Sequence, residues 1–247
     1  MGKSKDLATG NSAAYVETAG DTMTGNLAIT KSDASITPDA DADDFVIEGN
    51  QAIGMTIGSS ASSVGSIRFA DSGSPRAGML YYSHITDEMR LYTSANQRLT
   101  INSSGHVTMP SQPFIECTGD NNNTESFAAN AVFNHWTDRT TPVGITRSGG
   151  RFTVPVAGNY LITYTLYTYV SAAGHYRIHL KKNGNVHMLN QLEISTGARS
   201  DSTYDHTVSA SIILKMSAND YVEVVAADAM QIYEGNQHNA LSMMLLG

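Results

Sequence analysis

Eight histidines in 247 residues raise the chemistry of a metal centre first, and His175 and His179 in HYRIHL lie nearest one another in sequence. They sit in an alternating, strand-like stretch and share a face. Four residues at about 3.3 Å each separate them by about 13 Å, too far for one ion. No His-x-His pair occurs, so an axial ligand ring would need one lone histidine from each of several chains. The histidines read as surface or interface groups, and no metal site is expected. Glycoside hydrolysis would need two carboxylates across a cleft. Glu193, Asp201 and Asp205 are the available acids, but LEISTGARSDSTYDH reads as a long loop, where acids are normally solvated. A Gly-x-Ser-x-Gly nucleophile elbow is absent, as is a phosphate-binding loop. The expectation is a chain with no catalytic residues and no cofactor.

Composition points the same way. Charged residues are only 15% and the net charge is −8, so no cluster of Lys and Arg is available for nucleic acid. No apolar run reaches the roughly 18 residues of a membrane span, and no membrane insertion is expected. Cys117 is the single cysteine. It cannot form an intrachain disulfide and reads as a small buried hydrophobe. MGKSKDLATGNSAAYVETAG has neither the apolar core of a secretory signal nor the myristoylation pattern, so synthesis in a cytoplasm is expected.

The elements that must position any binding residues are strands. Residues 1–30 read as an N-terminal attachment segment, polar except for a few residues such as Tyr15 and Val16, with a turn signal at Gly25-Asn26. KSDASITPDADADD follows as a solvated linker, lacking the glycine turn and distal glutamate of a calcium loop. From 31 to 110 apolar pairs recur two residues apart: Phe45/Ile47, Met55/Ile57, Ile67/Phe69, Met79/Tyr81, Met89/Leu91, Leu99/Ile101 and Val107/Met109. Turn residues separate them at the spacing of an all-β protein. Strands this short predict a β shaft intertwined with identical chains.

After MPSQP the strands lengthen, and 111–247 reads as a β-sandwich or jelly roll of eight to ten strands. In GRFTVPVAGNYLITYTLYTYV, Pro155 and Gly158 mark a corner between two strands, the second alternating with period 2 from Tyr160 to Val170. Asn183-Gly184 is a strong two-residue hairpin signal. Loops carry recognition on rigid β scaffolds. The longest are Gly119–Ser126, Ser195–His206 and Ala227–Asn239, so Asn121, Asn122, Asn123, Asp201, Tyr204, Tyr233 and Asn236 are the candidate receptor-binding residues. Amides beside aromatic rings suit a cell-surface glycan.

The run Gly150, Phe152, Pro155, Gly158 and Tyr160, followed by the Asn183-Gly184 hairpin, resembles the head of the C1q/tumour-necrosis-factor-like superfamily. Asn219-Asp220 stands where that family has Gly-Asp, and Leu241-Ser242-Met243 where it has Phe-Ser-Gly. The resemblance spans 111–247 and implies a homotrimer of jelly rolls, an assembly expected to bury on the order of 2,000 Å² or more. In the front half, GDTMTGNL and GSIRFADSGSPRAGMLYYSHITDEMRLYTSANQRLTINSSGHVTM are similar to segments of bacteriophage tail fibres. That likeness implies a virion protein, released by lysis, docked on other virion proteins through its N-terminal segment. Its head would bind a host glycan or protein. A capsid-mounted decoration fibre is the alternative, and a polysaccharide-degrading spike the outsider.

Overall fold

The computed structural model describes residues 27–30, 35–42, 44–170, 174–196 and 204–247, with side chains throughout except at 27–30 and 186–205. Every regular element among them is a strand. The chain divides into two compact units at Ser59/Ser60. In the first, β1 (Leu27–Thr30) and β2 (Phe45–Glu48) pair in parallel, Leu27 with Phe45 and Ile29 with Ile47. Met55 and Ile57, expected as a strand pair, lie in coil and are exposed. Alternation alone makes no strand where no neighbouring edge accepts its hydrogen bonds.

The second unit opens with a five-stranded antiparallel meander of β3 (Val64–Phe69), β4 (Gly78–Ser83), β5 (Glu88–Thr93), β6 (Asn96–Ile101) and β7 (Val107–Thr108). The short strands therefore pair within one chain, through tight turns at Asp87 and Ser94-Ala95, all of positive φ. Register aligns the apolar residues in two rows on one face. Ile67, Leu80, Leu91 and Leu99 form the first, and Tyr82, Met89, Ile101 and Val107 the second. Ile67, Leu80, Met89, Leu91 and Ile101 remain 37–43% exposed.

From Phe114 onward two sheets form a sandwich. Its strands are β8 (Phe114–Gly119), β9 (Thr124–Phe127), β10 (Ala131–Val132), β11 (Trp136–Asp138), β12 (Thr146–Ser148), β13 (Arg151–Thr153) and β14 (Gly158–Val170). They continue as β15 (Gly174–Lys182), β16 (Asn185–Thr196), β17 (Tyr204–Met216), β18 (Tyr221–Ala226), β19 (Met230–Tyr233) and β20 (Ala240–Leu245). One sheet runs β12-β13-β18-β15-β16, with β10 also on β18; the other runs β11-β8-β20-β14-β19-β9, with β17 also on β14. The thirteen strands among the described residues exceed the eight to ten expected because β10 to β13 are too short to show a period. Two expected loops also shrink. Of Ser195–His206, residues 195–196 end β16, 204–206 begin β17 and 197–203 lie outside the described residues, while Ala227–Asn239 contains β19, held by β9 and β14.

The Gly150–Tyr160 corner carries the chain from one sheet to the other, since β13 pairs with β18 while β14 pairs with β17 and β20. Phe152 and Tyr160 are fully buried on opposite sides of it, and the Tyr160 hydroxyl donates to the Val156 carbonyl at 2.9 Å. Pro155 sits at the bend, where no ladder needs its missing N–H. Gly158 has no unusual φ; its constraint is space, because a Cβ there would stand 2.4 Å from Leu245 Cδ1. Even-numbered residues of β14, from Tyr160 to Val170, fill the sandwich beside Ile115, Ile178, Leu180, Val222 and Val224.

Candidate functional site

One end of the sandwich gathers loops far apart in sequence. Gly119 N–H donates to Asn239 O at 3.2 Å, Asn121 N–H to Glu234 O at 3.4 Å, and Glu234 N–H to Asn123 O at 2.8 Å. This approach requires a glycine at 119, where a Cβ would lie 2.0 Å from Glu234 O. The candidates Asn121, Asn122 and Asn123 are thereby placed beside Tyr233 and Asn236, and all but Tyr233 are exposed. Asn239 is buried beneath them. Its Oδ1 accepts from Tyr167 N–H at 2.8 Å and its Nδ2 donates to Tyr233 O.

The same junction assembles a charged cluster that sequence reasoning missed. His135 Nδ1 lies 3.3 Å from Asp120 Oδ1, and Nε2 lies 2.7 Å from Glu125 Oε2 and 3.1 Å from Glu234 Oε1. Phe127 and Phe133 hold the imidazole edge-on at 6.0 and 5.9 Å between centroids. The Glu234 side chain is 2% exposed and its Oε1 accepts no hydrogen bond. Burial, reinforced by Glu125 and Asp120 and opposed by His135, pushes its carboxyl up to about 7. No spacing in the sequence signals this group. Its four members come from positions 120, 125, 135 and 234 and meet only through strand pairing.

A second feature is the outward face of the β14 sheet. Register sets Ile213, Leu161, Met244 and Phe114 in one apolar row across β17, β14, β20 and β8. Ile213 is 59% exposed. Above it, Ser211, Thr163 and Ser242 form one small-residue row, and Ser209, Thr165 and Ala240 the next. At the loop end Tyr167, Tyr169, Tyr233 and His238 cluster, Tyr167 stacking on His238 at 5.0 Å. A cavity of about 230 Å³ opens nearby, lined by Tyr169, Tyr176, Gln231 and Ser126 among others.

Of the remaining candidates, Asp201 lies outside the described residues. Tyr204 begins β17 opposite Val170, and its side chain, like those of Glu193 and Asp205, is also outside them. His175 and His179 both belong to β15, the first exposed and the second buried. Cys117 is buried and donates to Asp138 Oδ1 at 3.3 Å. Burial, then Asp138, pushes its thiol up to about 12, which keeps it protonated and inert.

At the opposite turn, Asn183 and Gly184 both take positive φ and close the β15–β16 hairpin. Asn183 Nδ2 donates to Asp220 Oδ1 at 2.7 Å, and Asn219 supplies the turn's left-handed residue at φ 68°. Lys182, then Asn183 and the Ser217 N–H, hold the Asp220 carboxyl down to about 2. A folded pKa below the ordinary 3.8 means that this stabilisation is present above that pH and is lost as pH falls toward 2. Asp220→Asn should therefore flatten the acid limb of a stability-against-pH curve over that window. An unchanged limb would show that the Lys182 pair does not act in this way.

No protein-family model matches the chain, and no curated protein matches it. Among solved structures it is similar to Eiger TNF from S. frugiperda, at 13% identity over 56% of this chain and 94% of that one, with a TM-score of 0.47. It is also similar to murine APRIL at pH 8.5 and pH 5.0. Those likenesses have 12% and 14% identity, cover 55% of this chain and 99% of each APRIL chain, and give TM-scores of 0.43 and 0.42.

Proposed function

We propose that the chain is a homotrimeric, non-catalytic fibre protein of a bacteriophage virion, whose jelly-roll head binds a host surface receptor through its loop end. The observation that carries the oligomeric part is the apolar face of the meander. Its two register-aligned rows stay more than a third exposed at Ile67, Leu80, Met89, Leu91 and Ile101. A contiguous exposed apolar face of that kind marks an interaction surface. Two aligned rows repeated on successive strands suit identical neighbours. The head offers a matching surface in the Ile213–Leu161–Met244–Phe114 row, bordered by small residues that permit close approach.

The virion assignment rests on the likeness of residues 20–27 and 65–109 to tail-fibre segments. Receptor binding rests on the exposed asparagines beside the Tyr167, Tyr169 and Tyr233 rings, which offer amides for hydroxyls and π-faces for sugar rings. Three copies would add avidity to a weak single contact.

Sedimentation of the full chain at micromolar concentration tests the assembly. A trimer is expected, and Ile213→Asp, which sets a charge in the apolar row without touching the core, should shift it toward monomer. A wild-type monomer would end the trimeric reading. Purified protein should also block phage adsorption in proportion to dose. Failure to block, with antibody label over the capsid of intact particles, would replace receptor binding by a decorating role.

A further inference from the structure

We propose that Asp120, Glu125, His135 and Glu234 form a binding site for a divalent transition-metal ion of the zinc class, built within a single chain at the loop end of the head. Glu234 Oε1 lies 3.1 Å from His135 Nε2, and a donor atom of Asp120 lies within 4.8 Å of donor atoms of both residues, on the Nδ1 side of the ring. Glu125 adds a carboxylate oxygen 2.7 Å from Nε2. The buried Glu234 Oε1 supplies an independent sign: it points at His135 Nε2 from 3.1 Å yet accepts no hydrogen bond. An acceptor so buried and unsatisfied costs free energy unless a cation meets it.

The two ring nitrogens divide the work. Nε2 faces Glu125 and Glu234, so replacing its proton by a metal ion gives one imidazole and two carboxylates, with room for solvent on the half-exposed Glu125 side. Nδ1 faces Asp120, which can accept its N–H and fix the tautomer, as carboxylates do behind metal-bound histidines. Imidazole among the donors selects zinc-class ions over calcium, which takes oxygen ligands. Such an ion would join the 119–125 segment to the 233–239 segment, tying together the loops that carry the exposed asparagines.

Equilibrium dialysis of the metal-stripped full chain against zinc alone, and separately against calcium alone, tests the site. One zinc per chain is expected, with a rise in melting temperature. Glu125→Gln alters a half-exposed side chain and should leave the fold intact while weakening zinc at least about tenfold. Asp120→Asn should weaken it about 10–100-fold through His135. His135→Phe, which keeps a ring between Phe127 and Phe133, should abolish binding. Absence of zinc binding would overturn the proposal. So would zinc retained by His135→Phe and Glu125→Gln, or calcium bound as tightly as zinc.

Discussion

Gly150→Ala should destabilise the head by about 2–5 kcal/mol, against about 1–2 kcal/mol for Gly149→Ala next to it. Both glycines have positive φ, 81° and 55°, so both substitutions force an L-residue into the left-handed region. Only Gly150 is also enclosed. A Cβ there would stand 2.6 Å from Phe133 O and 2.8 Å from Val132 Cγ1, whereas at Gly149 it would meet nothing within 4 Å. Phe133 cannot yield readily. Its N–H donates to Val224 O at 2.8 Å, and its buried ring packs edge-on against Trp136 at 4.7 Å. Urea denaturation of the two variants separates backbone strain from close approach. Equal midpoints at equal slope would refute the steric part.

Asn239→Ala should cost about 1–3 kcal/mol, because it strips partners from a partly buried donor, Tyr167 N–H, and a partly buried acceptor, the Tyr233 carbonyl, together. The side chain bridges the point where β14 changes partners, between its last pair with β20, Thr165 to Ala240, and its first with β19, Tyr167 to Tyr233. Asn239→Asp retains the acceptor for Tyr167 but sets a carboxylate against the Tyr233 carbonyl. It should be at least as destabilised at neutral pH and recover stability as acid protonates the carboxylate into a donor. Amide exchange at Tyr167 should quicken in the alanine variant. Protection equal to wild type would mean that the ladder closes without Asn239.

The consequence for function is direct. Asn239 and Gly119 hold the two segments that present Asn121, Asn122, Asn123 and Asn236, so both Asn239 variants should disturb the loop end before the rest of the sandwich. Neither residue carries a sequence signal of that role. Asn239 reads as one more loop amide, and the close approach at Gly119 exists only because residues 119 and 234 become neighbours.

What the sequence determined by itself was local. Alternation over 160–170 specified a strand, because the two-residue period of a strand is written in the order of residue types; the structure gives that strand one buried and one half-buried face. The Asn183-Gly184 hairpin and the Pro155 corner were legible for a similar reason: their backbone geometry is set by the residues that occupy them. Met55 and Ile57 had the same alternation and form no strand, since pairing also needs a partner edge. The tertiary structure alone decided which faces stay open and which distant groups meet. The apolar rows follow from inter-strand register, and the Asp120–Glu125–His135–Glu234 cluster follows from β9 lying on β19 beside the 119–121 turn. Carboxylates separated by over a hundred positions have no period to detect. Their electrostatic coupling falls off with distance in space, a quantity fixed only once the chain has folded.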